Sequence, residues 1–318
     1  MTAAAMAETP SAAARLAGNV SAAGRTARSP ALLEAMRPRQ WVKNVFVLAG
    51  IVFAGRLFDT DALLRTAAIF AVFCAAASSV YLVNDVADRA QDQHHPVKRL
   101  RAIASGRLST GAALAAAAAL GIAALGSAAL LGRETLALTL GYLVSTLAYS
   151  LRLKQVFLLD VMIVASGFTL RAAVGAAAIG AEISPWLLCC SFLLALFLAL
   201  GKRRAELGLL GQHAAADHRR ALSHYSLPLL DSWLTALSGA TIVSYALYTQ
   251  SARTIEHFGT SSLVYTVPFV IYALFRYQHL LVREGQGGDP GSVLVQDRGL
   301  WVALLGWATS AALIIYRR

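Results

Sequence analysis

The chain has 318 residues, of which 57% are apolar and only 14% are charged, and its mean hydropathy is +0.59. A soluble domain carries about 25% charged residues, so this composition excludes an ordinary soluble enzyme and predicts a polytopic membrane protein. The formal net charge of +11 is attributed to basic loops beside anionic lipid headgroups, so we predict a membrane partner and no nucleic acid.

The N-terminal stretch differs from the rest of the chain. Residues 1–30 are rich in Ala, Ser, Thr and Arg and contain no continuous apolar core, which argues against a cleaved signal peptide. We expect residues 1–34 to form a disordered cytoplasmic tail. The remainder, residues 35–318, is predicted to be a single transmembrane catalytic domain.

Nine apolar segments follow the tail, and each is predicted to be a helix. Most are long enough for the roughly 20 residues that cross the hydrocarbon layer, although the first is short. Gly and Ala are abundant inside them, which favours close helix packing. The predicted fold class is therefore all-α. The segments are residues 41–55, 61–83, 110–131, 134–150, 156–180, 185–201, 230–250, 261–281 and 299–316.

The distribution of positive charge predicts the orientation. With a cytoplasmic N-terminus, 21 of the 28 Lys and Arg residues lie on the cytoplasmic side and six lie on the other. The positive-inside rule therefore places the N-terminus inside a plasma (inner) membrane that the chain crosses several times. The long loops, at about 84–109, 202–229 and 282–298, lie on the same side. We expect the chemistry at the cytoplasmic face.

The second segment ends in three closely spaced acids. Asp85, Asp88 and Asp92 lie at i, i+3 and i+7, so they share one face if the helix continues through them. Their mutual repulsion would be relieved by a divalent cation, and hard oxygen ligands suit Mg²⁺. The alternative is a solvated acidic cap that pairs with Arg89 and Lys98.

A basic loop follows these acids. Its cations are suited to a diphosphate beside an acid-bound metal, and the alternative for each is ordinary topology-setting charge. The loop contains Lys98, Arg99, Arg101 and Arg107.

A second charged cluster ends the sixth segment. Lys202 and Arg203 could bind phosphate, with Glu206 completing a second metal or ligand contact. Because Lys202 and Glu206 are separated by four residues, a simple helical ion pair is the alternative.

Two further connections contribute candidates. Tyr149 and Lys154 lie between segments four and five, where Tyr149 could lean over the site with Lys154 or act as an interfacial belt residue. Arg37 and Lys43, which lead into the first segment, could grip phosphate.

Two charges fall in or near the fifth segment. Asp160 and Arg171 should each face a cavity or a partner, because ionisable groups in a membrane are costly. They lie about three turns apart on one face, so we expect no direct contact between them.

The motif Asn84-Asp85-x-x-Asp88-x-x-x-Asp92, with the Lys98-Arg99 pair after it, resembles the UbiA-type intramembrane prenyltransferase superfamily. Within it, the chain is similar to the branch of decaprenyl-phosphate phosphoribosyltransferases. The segment Gly201-Lys202-Arg203-Arg204-Ala205-Glu206-Leu207 favours this branch, since aromatic prenyltransferases have an Asp-rich second motif. The resemblance covers residues 35–318.

The resemblance implies nine transmembrane helices around a central cavity, with Mg²⁺ near the cytoplasmic face. It implies transfer of 5-phosphoribose from phosphoribosyl pyrophosphate to a polyprenyl (decaprenyl) phosphate, in the synthesis of arabinan precursors for the cell wall. The acids Asp85, Asp88 and Asp92 would be catalytic and ligate Mg²⁺ on the donor diphosphate. The groups expected to support the acids or to hold phosphate are Asn84, Lys98, Arg99, Lys202 and Arg203.

Two alternatives remain open at this point. A prenyltransferase on the same scaffold would move a prenyl group from a prenyl diphosphate to an aromatic or other acceptor. A transporter or lipid flippase would place polar groups through the membrane midplane, whereas here they crowd one face. The sequence also leaves open the polyprenyl chain length and whether the chain forms a homo-oligomer.

Overall fold

The computed structural model describes residues 30–182, 184–218, 220–283, 293 and 296–316. All regular structure within these ranges is helical, which confirms the predicted all-α class. Most of the expected tail, residues 1–29, lies outside the described residues, as does the centre of the third expected loop, residues 284–292.

The described α-helices are α1 (Ala31–Met36), α2 (Ala49–Phe53), α3 (Thr60–Ala87), α4 (Arg89–His94), α5 (Thr110–Leu131), α6 (Arg133–Leu151), α7 (Leu159–Ala178), α8 (Pro185–His218), α9 (Leu227–Gln250), α10 (Ala252–Phe258), α11 (Val267–Arg283) and α12 (Arg298–Tyr316). Short 3₁₀ helices occur at Pro38–Leu48, Lys98–Leu100, Leu153–Gln155, Arg220–His224 and Ser262–Thr266. The expected boundary between tail and domain, after residue 34, falls inside α1.

Side-chain caps fix the starts of several long helices. The carboxylate of Asp59 accepts a hydrogen bond from the backbone N–H of Ala62 at the start of α3. Ser109 caps α5 and Ser226 caps α9 in the same way. Each cap satisfies one of the backbone donors that the first helical turn leaves without a partner.

Helical structure occurs at all nine predicted segments, but fewer helices meet the requirements for a span. Among the described residues, α3, α5, α7, the first 25 residues of α8 and α12 are long and apolar enough to cross a membrane. A sixth span is added if α10 and the helical stretch Ser262–Val282, which meet at 99°, are counted as one broken unit. The prediction of nine transmembrane helices is therefore not confirmed, although the chain is an integral membrane protein.

The helices form two packed halves joined by α7. The first half packs α3 against α5, α6 and α7, with Phe73, Tyr142 and Val174 in its core. The second packs α8 against α9, and α11 against α12, around Phe197 and Leu230.

The first apolar segment crosses α7 at two glycines. A Cβ on Gly175 would lie 2.0 Å from the carbonyl oxygen of Val47, and one on Gly50 would lie 2.3 Å from the backbone nitrogen of Ala176. No side chain fits at either position. Glycine therefore lets the two backbones touch, as small residues do in membrane bundles.

The prediction of a second long loop at residues 202–229 is wrong for the first part of that range. Helix α8 continues to His218, well beyond the apolar stretch that was predicted to end at residue 201. The residues after 201 are rich in Ala, Leu, Arg and Glu, which are strong helix formers, so the helix continues after its apolar part ends.

Candidate active site at the end of helix α3

The acidic motif spans a break in the helix. Helix α3 ends at Ala87, Asp88 adopts φ −87° and ψ 1°, and α4 begins at Arg89. These dihedral angles lie in the sparsely populated bridge region, which turns the chain. The expectation that all three acids share one helix face therefore does not hold, because Asp88 points to different partners from Asp85 and Asp92.

Asp85 and Asp92 meet at one guanidinium. Nη1 of Arg101 donates to Oδ1 of Asp85 at 3.2 Å and to Oδ2 of Asp92 at 2.6 Å. Both acids are buried, each only 3% exposed. Arg37 donates a second hydrogen bond to Asp85, and its guanidinium carbon lies 5.1 Å from the ring centre of Tyr81. The carboxylates are thus neutralised by arginines from two separate segments.

Asp88 belongs to a neighbouring group. Nζ of Lys154 lies 2.6 Å from Oδ1 and 2.9 Å from Oδ2 of Asp88. Nδ2 of Asn84, one turn earlier on α3, donates to Oδ2 of Asp88 at 3.1 Å. Lys154 comes from the 3₁₀ turn between α6 and α7. The structure therefore brings together Asn84, Asp88 and Lys154, as the sequence analysis proposed for Lys154.

The donor chemistry of the acids fits Mg²⁺, although not as a closed three-acid site. Within the described ranges no group of three or more His, Cys, Asp or Glu residues could hold a metal ion. However, Asp85 and Asp92 converge on one cationic nitrogen with anionic oxygens. Mg²⁺ is usually held by one or two carboxylates together with waters and substrate phosphates, and this pair can supply that set. The three-acid ligand set stays a prediction.

The other predicted cations line the same end of the bundle. Lys98 and Arg99 lie in the 3₁₀ turn after α4, and neither side chain has an ion pair with another residue in the described part of the chain. Arg99 is exposed and Lys98 is half-buried. Lys43 is exposed on the 3₁₀ helix that follows α1. The charges of Lys98 and Arg99 are available to an anionic ligand.

The second cluster has different pairing from the one that its spacing suggests. Glu206 accepts a hydrogen bond of 2.5 Å from Nη1 of Arg203, three residues earlier. The expected alternative, an ion pair between Lys202 and Glu206, is absent among the described contacts. Tyr149 is half-buried on the last turn of α6, close enough to Arg203 for an electrostatic interaction.

Asp160 is the second partner of Arg203. Its Oδ2 accepts a 2.8 Å hydrogen bond from Nε of Arg203, and its Oδ1 accepts one of 2.7 Å from the hydroxyl of Tyr225. Burial and the hydrogen bond to Asp160 both raise the pKa of the Tyr225 hydroxyl, so this group stays a proton donor at neutral pH. The expectation that Asp160 faces a partner is met.

Arg171 is held by neutral groups. It donates to Oδ1 of Asn44 at 2.9 Å, to the carbonyl of Gly167 at 2.8 Å and to the hydroxyl of Tyr142 at 2.8 Å. It therefore joins the first segment, α6 and α7, and does not contact Asp160, as expected from their spacing.

Three site residues were absent from the predicted set. Arg101 was counted in the basic loop but not singled out, although it lies nine residues from Asp92 and bridges two acids. Asp160 was expected to face a cavity or a partner but was not assigned to the site, and Tyr225 was not among the predicted site residues. The sequence did contain a signal for Asp160, because a carboxylate at the edge of an apolar segment requires a partner. Tyr225 gave no comparable signal.

Comparisons with known proteins identify the family of the chain. The model of the UbiA prenyltransferase family matches residues 44–290. A protein of Corynebacterium glutamicum named decaprenyl-phosphate phosphoribosyltransferase is 37% identical over 290 residues, covering 90% of this chain and 86% of that protein. One of the same name from Mycolicibacterium smegmatis is 35% identical over 296 residues, covering 90% and 92%.

A solved structure shows the same fold. The UbiA homolog from Archaeoglobus fulgidus bound to DMAPP and Mg²⁺ superposes with a TM-score of 0.69 at 18% identity, over 91% of this chain and 99% of that one. At this identity the likeness concerns the arrangement of helices and not the substrate.

Proposed function

This chain is a member of the UbiA prenyltransferase family, and from that premise we propose that it transfers the 5-phosphoribosyl group of phosphoribosyl pyrophosphate to a polyprenyl phosphate, with release of pyrophosphate. The observation that carries the proposal is the identity of 35–37% over 90% of the chain to relatives named as decaprenyl-phosphate phosphoribosyltransferases. By analogy with those names, the acceptor is decaprenyl phosphate and the product serves the synthesis of cell-wall arabinan.

We place the reaction at the cytoplasmic face of a nine-span bundle. The excess of Lys and Arg on the side of the N-terminus supports this orientation. Four further segments would complete the nine spans by packing within the bundle, where neighbouring helices can satisfy their polar groups. These segments are Pro38–Phe53, α6, α9 and α11. The acids at the end of α3 then lie where a water-soluble donor can reach them.

The donor diphosphate would lie between the acids and the surrounding cations. Asp85 and Asp92, whose carboxylates share Arg101, would hold Mg²⁺, with Asp88 as the third predicted ligand. Mg²⁺ bound there would neutralise negative charge that grows on the leaving pyrophosphate.

The chain's own cations would exchange partners when the donor binds. Arg37 and Arg101 neutralise Asp85 and Asp92 in the structure, and Lys154 neutralises Asp88. With the carboxylates holding Mg²⁺, Arg37, Arg101 and Lys154 would bind the phosphate oxygens instead. Fixed positive charge aimed at the leaving group stabilises the transition state in a water-poor site.

The reaction needs no strong general base. An oxygen of the acceptor phosphate forms a bond to C1 of the ribose while the bond from C1 to the pyrophosphate oxygen breaks. The bonding electrons leave with pyrophosphate. A phosphate monoester is already largely ionised at about pH 7, so the acceptor oxygen requires no deprotonation. The lipid tail can lie between apolar helices while Lys98, Arg99 and Lys202 provide a basic rim for its phosphate or the donor's.

The test compares two pairs of substrates. Purified protein with Mg²⁺ should release pyrophosphate from phosphoribosyl pyrophosphate only when decaprenyl phosphate is added, and EDTA should stop the release. The same preparation should be inactive with dimethylallyl diphosphate and an aromatic acid. Activity with the prenyl pair alone would replace the proposal with the prenyltransferase alternative.

Lys202 gives a sharper test of donor recognition. Lys202→Ala should raise the donor KM about tenfold, because it removes a cation that has no acidic partner in the described structure. Arg107→Ala is the matched control, since Arg107 already pairs with the exposed Glu34. An equal donor KM for both variants would contradict the assignment.

A further inference from the structure

Asp160 is a fully buried carboxylate that joins three parts of the chain. It lies on the first turn of α7 and is 0% exposed. Arg203, which contacts it, lies 43 residues later on α8, and Tyr225 lies 65 residues later, after α8 has ended. A buried carboxylate is tolerated only when its charge and lone pairs are satisfied. Within the described residues, Arg203 donates to one of its oxygens and Tyr225 donates to the other.

The pairing fixes the orientation of the Arg203 guanidinium. Its Nε is held by Asp160 and its Nη1 by Glu206. Two carboxylates on two edges of a planar group determine its plane as well as its position. Nη2 donates no hydrogen bond to another residue in the described ranges, so it is the edge that a ligand can take.

The same network anchors the connection that carries Lys154. The hydroxyl of Tyr225 also accepts a 3.3 Å hydrogen bond from the backbone N–H of Leu158. Leu158 has φ +66°, and a left-handed conformation costs a non-glycine residue about 1 kcal/mol or more. Lys154, which contacts Asp88, precedes it by only four residues. The network therefore restrains a strained turn beside the candidate site.

We propose that Asp160 is a positioning residue that aims Arg203 at a phosphate group of the donor. The inference rests on the proposed function in that it takes the donor to be a phosphoribosyl diphosphate. Asp160 touches no substrate itself and acts through Arg203, with Tyr225 completing its hydrogen bonds.

The experiment measures donor binding without turnover. Phosphoribosyl pyrophosphate is titrated calorimetrically into the full-length protein in detergent with Mg²⁺ and without acceptor. Asp160→Asn removes the charge that holds Arg203 but keeps the size of the side chain. Because a charge-assisted hydrogen bond is lost, the donor Kd should rise about tenfold or more. With both substrates present, the donor KM should rise while the acceptor KM stays unchanged.

Asp231→Asn is the matched control. Asp231 on α9 pairs with Arg204, the residue next to Arg203, so this variant removes the ion pair of the neighbouring arginine on α8. Arg204 also donates to the carbonyl of Leu281 on α11, and it contacts neither Asp160 nor Glu206 in the described ranges. The control should bind the donor with the Kd of the unmodified protein.

A double-mutant cycle separates positioning from general stability. If Asp160 acts through Arg203, then Asp160→Asn combined with Arg203→Gln should bind the donor as weakly as Arg203→Gln alone, within about twofold. If the two substitutions instead raised the donor Kd by the product of their separate factors, the inference would be overturned. The double variant also removes both buried charges, so it remains informative if Asp160→Asn alone does not fold.

The outcomes also separate this inference from the proposed function. If the unmodified protein binds dimethylallyl diphosphate and not phosphoribosyl pyrophosphate, the proposed donor is wrong, and the same cycle is run with the prenyl diphosphate. A loss of affinity in Asp160→Asn would then still support positioning of Arg203 toward a diphosphate. An unchanged Kd, with either donor, would refute it.

Discussion

Replacing Arg101 by Met should destabilise the ligand-free protein because it leaves two buried carboxylates close together. The side chains of Asp85 and Asp92 are each 4% exposed, whereas that of Arg101 is 29% exposed. Removing one partner of a buried ion pair costs about 3–5 kcal/mol. Arg37 still pairs with Asp85 and Arg101 is partly exposed, so we expect a loss of about 2–3 kcal/mol.

The assay is thermal unfolding of the purified protein in detergent, with and without Mg²⁺. The expected loss corresponds to a fall in Tm of roughly 4–12 °C. Mg²⁺ should restore much of it, since a ligand at about 100 times its Kd stabilises by about 2.7 kcal/mol. Mg²⁺ should raise the Tm of the variant more than that of the unmodified protein, in which Arg101 competes for the carboxylates.

Arg107→Met is the matched control from the same loop. Arg107 pairs with Glu34 at the surface, where side-chain exposures are 37% and 43%, so its loss should cost about 0–1 kcal/mol. The reasoning would be refuted if both variants unfolded at the same temperature. Equal responses of Arg101→Met and the unmodified protein to Mg²⁺ would also refute it.

Two further predictions concern the scaffold. Gly175→Ala should lower the free energy of unfolding by about 3 kcal/mol or more, because the new Cβ would lie 2.0 Å from the carbonyl oxygen of Val47. Gly126→Ala is the control: a Cβ there would have nothing within 4 Å, so this variant should not lower the Tm. Asp297, whose pKa is lowered by its hydrogen bond to Arg276, should stabilise the fold at neutral pH and lose that contribution as the pH falls through its lowered pKa. The difference in Tm between Asp297→Asn and the unmodified protein should therefore narrow below about pH 4, and a constant difference would contradict the pairing.

The helical segments were predictable because long apolar runs carry a strong and local signal. Their ends were less so. The apolar part of α8 ends near residue 201, but the helix continues to His218 through strong helix formers, some of which, such as Leu207, pack in the core. Conversely, nothing in the spacing of the three acids indicated that the chain would turn at Asp88.

Residue types at the site were predictable, but their pairing was not. Acids followed by bases indicated a site for a metal and a diphosphate at the end of α3. Which base reaches which acid depends on how the loop folds back, and that loop places Arg101 on Asp85 and Asp92 rather than Lys98.

Long-range contacts were the least accessible to sequence reasoning. The spacing offered a Lys202–Glu206 ion pair as an alternative, but Glu206 pairs with Arg203, which also pairs with the buried Asp160. Tyr225, 65 residues after Asp160, donates a further hydrogen bond to that carboxylate. The periodicity of the sequence contains no information on contacts between residues so far apart in the chain.

The most direct test of the acid–metal–diphosphate site is ³¹P electron–nuclear double resonance with Mn²⁺ in place of Mg²⁺. We predict a ³¹P coupling from bound phosphoribosyl pyrophosphate in the unmodified protein, and loss of both metal and coupling in Asp85→Asn/Asp92→Asn. Mn²⁺ and donor that bind equally well to the double variant, with the same coupling, would contradict the account.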